Sequence, residues 1–253
     1  MSEKIKHECA LAMVRLRQPL PYYAEKYGDP IYGLDRLRLL LRKMRNRGQD
    51  GAGMATIKLG VEPGKKFISR RRSNAKNYLD DLFDHVYSRF DALPPELRQD
   101  GVYLKENLPY TGELMLGHLR YGTHSTNAIE TCHPFLRQSN WMTRCLILAG
   151  NFNLTNVKEL FSELVDLGQY PKEMSDTVTM LEKIGHFLDD EVNRLHTWYK
   201  PDGHTNIEIN ELIAQNLDIQ RLLKRACKKF DGGYVMGGMM GHGDGFVMRD
   251  PAG

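Results

Sequence analysis

Apolar residues in this chain recur at two incompatible periods, and the way those periods are distributed limits the fold. Three- and four-residue steps, the repeat of a helix face, carry Leu34, Leu37, Leu40, Leu41 and Met44 through 32–44. They carry Leu79, Leu82, Phe83, Val86, Tyr87 and Phe90 up to Pro94-Pro95. A third stripe (Val157, Leu160, Phe161, Leu164) opens with a capping box of Asn156 and Glu159 and closes at Gly168. Ser175 is placed to cap a fourth, with Val178, Leu181, Ile184 and Leu188, and Asp218 a fifth, with Ile219, Leu222, Leu223 and Ala226. Short apolar runs at 9–16, 53–59, 113–119 and 144–149 read as strands, and 234–240 with 246–248 as a hairpin across His242 to Gly245. Strands gather towards the ends without a repeated strand–helix alternation, which favours an α+β fold over a doubly wound parallel sheet. The segment 92–108, with its two prolines and mixed charges, reads as the loosest.

Composition removes several function classes. Lys plus Arg number 35 against 32 Asp plus Glu, a net charge of +3 spread along 253 residues, so no nucleic-acid partner is implied. No stretch reaches the ~20 apolar residues of a membrane span, and the charged start MSEKIKHE is not a secretory signal. The four cysteines, Cys9, Cys132, Cys145 and Cys227, have no metal-binding or disulfide spacing, and a cytoplasmic setting follows. Arg70-Arg71-Arg72 reads as a solvated turn, Asp189-Asp190-Glu191 as a solvated helix end, and the glycines of 232–245 as a twisted hairpin rather than a phosphate cradle. Neither the acidic run nor the adjacent pair Cys132-His133 makes a metal site.

Polar residues that could carry chemistry stand at the ends of these elements, where loops expose them on a rigid base. Cys9 heads the first strand; 46–53 (NRGQDGAG) follows a helix; 117–124 (GHLRYGTH) follows a strand. The run 148–156 (LAGNFNLTN) leads from a strand towards a helix, and Ser175-Asp176-Thr177 opens another. A thiol, a guanidinium, a carboxamide and a carboxylate are the groups needed to hold a zwitterionic amino acid and attack its side-chain amide.

With these four motifs in this order, the chain resembles the class II glutamine amidotransferases, whose glutaminase domain is of the N-terminal-nucleophile hydrolase type. Within that family it is most similar to the glutaminase domain of amidophosphoribosyltransferases, transferases of purine biosynthesis. The likeness spans Cys9 to the closing Arg249-Asp250-Pro251-Ala252-Gly253. The resemblance implies a four-layer α-β-β-α sandwich of two antiparallel sheets, with 60–112 and 190–217 as elaborations. It makes Cys9 the nucleophile that forms a γ-glutamyl thioester and its own α-amine the base, titrating near ~7.7–8.0 where proton transfer is efficient. It makes Asn151 and the backbone N–H of Phe152 the oxyanion hole. Arg120 would take the substrate α-carboxylate, Asp176 the α-ammonium, and Tyr121 and Thr123 would line the pocket. Arg47 and Gly48 would support the nucleophile's loop.

The chain departs from the family pattern at Ala10, Gly150 and Phe152, where the family has glycine, histidine and glycine. Phe152 would be strained if that position required a positive φ. Because Cys9 follows Glu8, a free α-amine requires residues 1–8 to be a leader that is removed, leaving 9–253 as the glutaminase domain. A phosphoribosyltransferase domain, with its magnesium, is absent from this sequence. The expected chemistry is cofactor-free hydrolysis of glutamine, with the ammonia passed to an acceptor domain, covalent or in trans; self-association is left open. Alternatives are the glutaminase domain of another class II amidotransferase, such as an amino-sugar or asparagine synthetase, and a catalytically silent glutamine-binding or assembly domain.

Overall fold

A computed structural model describes residues 8–122 and 128–251. They form two compact units: one made of the chain through Pro134 together with Ala149–Asn151, the other of Phe135–Leu148 and the chain from Phe152 onward. Each unit contains one antiparallel sheet with helices packed on it, so the α+β class with two antiparallel sheets is present.

The first unit is built on strands β1 (Ala10–Arg15), β2 (Gly51–Ile57), β3 (Ile68–Ser73) and β4 (Leu114–Arg120), in the order β1-β4-β2-β3. Its helices are α1 (Leu20–Tyr27), α2 (Tyr32–Lys43), α3 (Tyr78–Asp91), α4 (Pro95–Gln99) and α5 (Gly101–Asn107). The strands alternate strictly. Ala10, Ala12, Ala52, Met54, Met115 and Leu119 meet Leu34, Leu37 and Leu41 of α2 and Leu82, Phe83 and Val86 of α3 in one core. Each fully buried Leu or Phe there contributes about 1.5–3 kcal/mol. The small residues bring the helix close: a Cβ on Gly117 would stand 2.8 Å from Leu41 Cδ1. The opposite face is also apolar along most of its length, with Ala55, Ile57, Leu114 and Leu116 buried, and turns polar at the His118–Arg120 end of β4.

The second sheet is β5 (Phe135–Arg137), β6 (Leu146–Leu154), β7 (Gly232–Met240) and β8 (Gly245–Arg249), in the order β5-β6-β7-β8, and all of it except Ala149–Asn151 of β6 belongs to the second unit. Helices α6 (Val157–Asp166), α7 (Asp176–Tyr199), α8 (Asn206–Asn216) and α9 (Ile219–Ala226) pack on it. Its core joins Leu160, Val178, Ile184, Leu188, Val192, Ile209, Ile213 and Leu222 to Leu146, Leu148, Met236 and Met240. Ser175 caps α7 through Val178 N and Asp218 caps α9 through Arg221 N, as the sequence suggests. His242 sits in the β7–β8 turn and bonds Asp244.

Several expectations are corrected. The arginine triplet is not a turn but lies in edge strand β3, where Arg72 donates to the Glu130 and Cys132 carbonyls and Arg71 pairs with Asp81. The loose segment holds two short helices, the second capped by Asp100 through the Val102 and Tyr103 amides. Pro95 fits the first helical turn, where no N–H is needed. Within 60–112, β3 forms an edge of the sheet and α3 supplies core, and within 190–217 α8 supplies core to the second unit. Asn156 makes no cap bond at α6 and instead joins Lys229 and Asp231. Asp189-Asp190-Glu191 lies inside α7, which continues to Tyr199. Asp189 takes Arg137 and Arg144, and the buried Glu191 takes Arg194 and Arg225. Among the described residues no helix is long and apolar enough to cross a membrane.

Candidate active site

The register of β1 on β4 sets Leu11 opposite His118 and Ala10 opposite Leu119; Cys9, the residue before β1, continues towards the end of β4, where it bonds the Tyr121 N–H and feels the Arg120 charge. Opposed residues of an antiparallel pair share a face. Cys9, His118 and Arg120 therefore stand together on the side of the sheet away from α2 and α3. The Cys9 thiol is half-buried, accepts the Tyr121 N–H at 3.4 Å and lies 3.9 Å from the Tyr121 carbonyl. Burial raises its pKa above the ordinary 9.0; the Tyr121 amide and then the Arg120 charge oppose that rise, and the Glu8 carboxylate adds to it. At neutral pH the group is a thiol, so an attack by sulfur needs a base to take its proton.

Arg120 is 5% exposed at the end of β4. Its guanidinium lies against Gly122, where a Cβ would come within 2.8 Å of Nη1. Asp50 holds this turn on both sides: its N–H donates to the Arg120 carbonyl at 3.0 Å and its carboxylate accepts the Gly122 N–H at 2.7 Å. Gly48 packs so closely that a Cβ would stand 2.6 Å from the Leu119 carbonyl carbon. The Gly48 carbonyl accepts the Tyr78 hydroxyl at 2.8 Å. Arg47 is exposed and pairs with Glu8 at 3.7 Å, next to Cys9. The 46–53 motif thus braces the backbone on either side of Arg120 and reaches the residue before Cys9.

On the other flank of β4, Gly53 opposes His118 and Gly51 opposes Arg120. Their missing side chains admit the segment Cys132-His133: a Cβ on Gly51 would lie 2.8 Å from the Cys132 thiol, and one on Gly53 would collide with the His133 carbonyl oxygen. The imidazoles of His118 and His133 stack with centroids 4.4 Å apart. Both meet Gly150. The Gly150 N–H donates to His133 Nδ1 and its carbonyl accepts from His118 Nε2, each at 3.1 Å. Asn151, the next residue, is exposed. It belongs to the same unit as Cys9 and Arg120.

No family model matches the chain. Amidophosphoribosyltransferase 1 of Arabidopsis thaliana is 27% identical over 183 residues, 72% of this chain and 25% of the relative. The amidophosphoribosyltransferase of Lacticaseibacillus casei is 27% identical over 57% of this chain and 60% of its own length. A solved glutamine phosphoribosylpyrophosphate amidotransferase from B. subtilis aligns with 96% of this chain and 37% of its own, at 20% identity and a TM-score of 0.50. The chain is a relative of the amidophosphoribosyltransferases. The structural likeness shows the fold that the motifs imply, that of class II glutamine amidotransferase domains. This domain spans between a fifth and three fifths of the length of the relatives just named and of one more, a glutamine–fructose-6-phosphate aminotransferase of Zymomonas mobilis, 27% identical over 62% of this chain and 20% of its own.

The expected site residues fall as follows. Cys9, Arg120, Tyr121, Arg47 and Gly48 are adjoining parts of the first unit, to which Asn151 also belongs. Phe152 and Asp176 belong to the second. Asn151 lies within β6 rather than after it, because the strand runs on to Leu154. Phe152 continues that strand without a positive φ, so the expected strain is not there; among the described non-glycine residues that conformation occurs at Tyr110. Phe152 packs its ring on the second unit's core. Asp176 opens α7 and accepts the Leu154 N–H at 3.0 Å. Thr123 lies outside the described residues, as do Ala252 and Gly253. Asp50 and the pair His118–His133 escaped the sequence reading. Asp50 stood inside a motif already singled out, whereas the histidines meet only through long-range packing.

Proposed function

We propose that this chain hydrolyses the side-chain amide of glutamine through a thioester on Cys9, releasing glutamate and passing ammonia to an acceptor. The observation that carries the reading is the placement of the Cys9 thiol on the Tyr121 N–H, beside the buried Arg120, at one end of one sheet. A planar guanidinium there suits the bidentate grip of an α-carboxylate. Because burial keeps Cys9 protonated, the base is the α-amine of Cys9 itself, freed by cleavage of the Glu8–Cys9 bond.

In the first half-reaction that amine takes the thiol proton, sulfur bonds to the amide carbon, and the proton passes to the departing nitrogen, which leaves as ammonia. Water then attacks the thioester, the amine takes a proton from it, and sulfur departs to give glutamate. Each tetrahedral oxyanion falls to donors at Asn151 and Phe152. Such donors contribute about 2.7–4 kcal/mol each in comparable sites. The roles of these two residues, of Tyr121 and Thr123 as pocket lining, and of Asp176 as the ammonium's partner come from the family resemblance.

The acceptor we propose is a phosphoribosyltransferase domain, in the same polypeptide or in trans, in a cytoplasmic enzyme of purine biosynthesis. Magnesium, where needed, belongs to that domain. The relative from Zymomonas mobilis supports a second reading, in which the ammonia goes to a sugar phosphate. The deciding assay measures glutamate release by the chain with and without residues 1–8. Turnover that appears on their removal and disappears in Cys9→Ala supports the proposal. Glutamine binding without glutamate release by the chain starting at Cys9 rejects it in favour of a silent binding domain.

A further inference from the structure

We propose that His118 and His133 are positioning residues that clamp Gly150 from both sides and so fix the oxyanion residue Asn151. The inference rests on the glutamine-hydrolysis reading above and deepens it. Glycine has the widest backbone freedom of any residue, so a strand that leads through Gly150 to a catalytic amide needs its geometry set from outside. Here both polar groups of Gly150, inside β6, bond imidazole nitrogens. Its N–H belongs to the peptide plane before it and is held by His133 Nδ1. Its carbonyl belongs to the plane that leads to Asn151 and is held by His118 Nε2. Two planes fixed at one residue leave the next Cα little room to move.

The clamp is anchored to the substrate grip. His118 and Arg120 are two residues apart on one face of β4, and the Cys9 thiol lies at the same strand end, bonded to the Tyr121 N–H and within reach of the Arg120 charge. One strand therefore carries both the brace for the amide and the guanidinium. The geometry also dictates the tautomers: His118 must carry its proton on Nε2, and His133 must leave Nδ1 bare to accept. Burial drives both rings towards the neutral form, pushing His118 down to about 4 and His133 well below its ordinary value. The assignment therefore holds throughout the neutral range.

Packing alone would not select this arrangement. An apolar pair would fill the space without burying ring nitrogens, and His118 Nδ1 has no hydrogen-bond partner among the described residues. Leaving such an atom unsatisfied is unfavourable, a cost that a purely structural contact gives no reason to keep.

The test compares variants of the chain after release of residues 1–8. His118→Leu and His133→Leu remove the bonds. His118→Gln puts an amide nitrogen where Nε2 was, and His133→Asn an oxygen where Nδ1 was. His118→Asn and His133→Gln supply the same chemistry at the wrong reach. The Leu and wrong-reach variants are expected to lose kcat by about 10- to 100-fold, the scale of a catalytic group displaced by about an ångström. The KM for glutamine should stay within about twofold, since ground-state binding is untouched. His118→Gln and His133→Asn should recover most of kcat. Alkylation of Cys9 by iodoacetamide, which needs no oxyanion hole, should not change in any of them. Hydrogen exchange at the Gly150 amide should speed up in His133→Leu and stay slow in His133→Asn. Full kcat in both Leu variants, a loss confined to KM, or wrong-reach variants as active as the matched ones would overturn this inference alone. An unsubstituted chain that releases no glutamate overturns the reading beneath it instead, while Gly150 exchange still reports whether the clamp exists.

Discussion

The thiol of Cys9 accepts the backbone N–H of Tyr121 at 3.4 Å, at the turn where β4 ends and the Arg120 side chain emerges. Cys9 and Arg120, the proposed nucleophile and carboxylate grip, are thereby joined through main chain. Any change that shifts the end of β4 moves both.

The first consequence concerns titration of the nucleophile. With Glu8 attached, burial and the Glu8 carboxylate hold the Cys9 thiol above its ordinary value of 9.0. Cleavage between Glu8 and Cys9 removes that carboxylate and leaves an ammonium in its place, and both changes favour the thiolate. The pH midpoint of Cys9 alkylation is expected above 9.0 in the uncleaved chain. It should be lower once residues 1–8 are gone. An unchanged midpoint would separate Glu8 from the thiol's environment.

Gly48→Ala tests the brace behind Arg120. The new methyl would stand 2.6 Å from the Leu119 carbonyl carbon, and backbone yields less readily than a side chain. A loss of about 1–3 kcal/mol in urea unfolding is expected, the usual cost of overpacking a tight contact. Glutaminase turnover should fall with it, because the displaced residue adjoins Arg120.

Arg120→Lys keeps the charge and loses the fork. A point ammonium cannot make the paired bonds of a guanidinium to a carboxylate. The KM for glutamine is expected to rise by about 10-fold or more, the equivalent of one charge-assisted hydrogen bond. Steady-state kinetics check this; a variant with unchanged KM would remove Arg120 from the substrate.

His118 makes the fold acid-sensitive. Its pKa falls from 6.5 to about 4 on folding because burial disfavours the charged ring. The unfolded chain therefore binds the extra proton first. The stability that this ring contributes is fully present above pH 6.5 and is lost as pH falls through about 4. The total is roughly 3 kcal/mol. Urea midpoints measured from pH 7 to 4 should decline in the wild type and decline less in His118→Gln.

How far the sequence could be read depended on what each element shows to a local window. Helices α2, α3, α6, α7 and α9 each present a full apolar stripe, so periodicity finds them. Helix α1 is one of the shortest and buries only Leu20 and Tyr23, and α8 buries Ile209 and Ile213 but leaves Ile207 exposed, which blurs its stripe. The capping box of Thr205 and Glu208 at α8 was the signal available there. Strand β3 was hidden by its three arginines, whose partners on 130–134 and on α3 lie far away in sequence. For the site, ordered motifs led to Cys9 and Arg120, and the register then set them together. Nothing local links His118, His133 and Gly150, because their contact exists only after Gly51 and Gly53 have let the Cys132-His133 segment lie on the sheet.

The most direct measurement is peptide mass spectrometry after exposing the chain, with Cys9 at its amino terminus, to a diazoketone analogue of glutamine. The account predicts a single adduct on Cys9, suppressed by excess glutamine and absent in Cys9→Ala. Labelling of Cys132, Cys145 or Cys227 in its place, or no labelling at all, would contradict it.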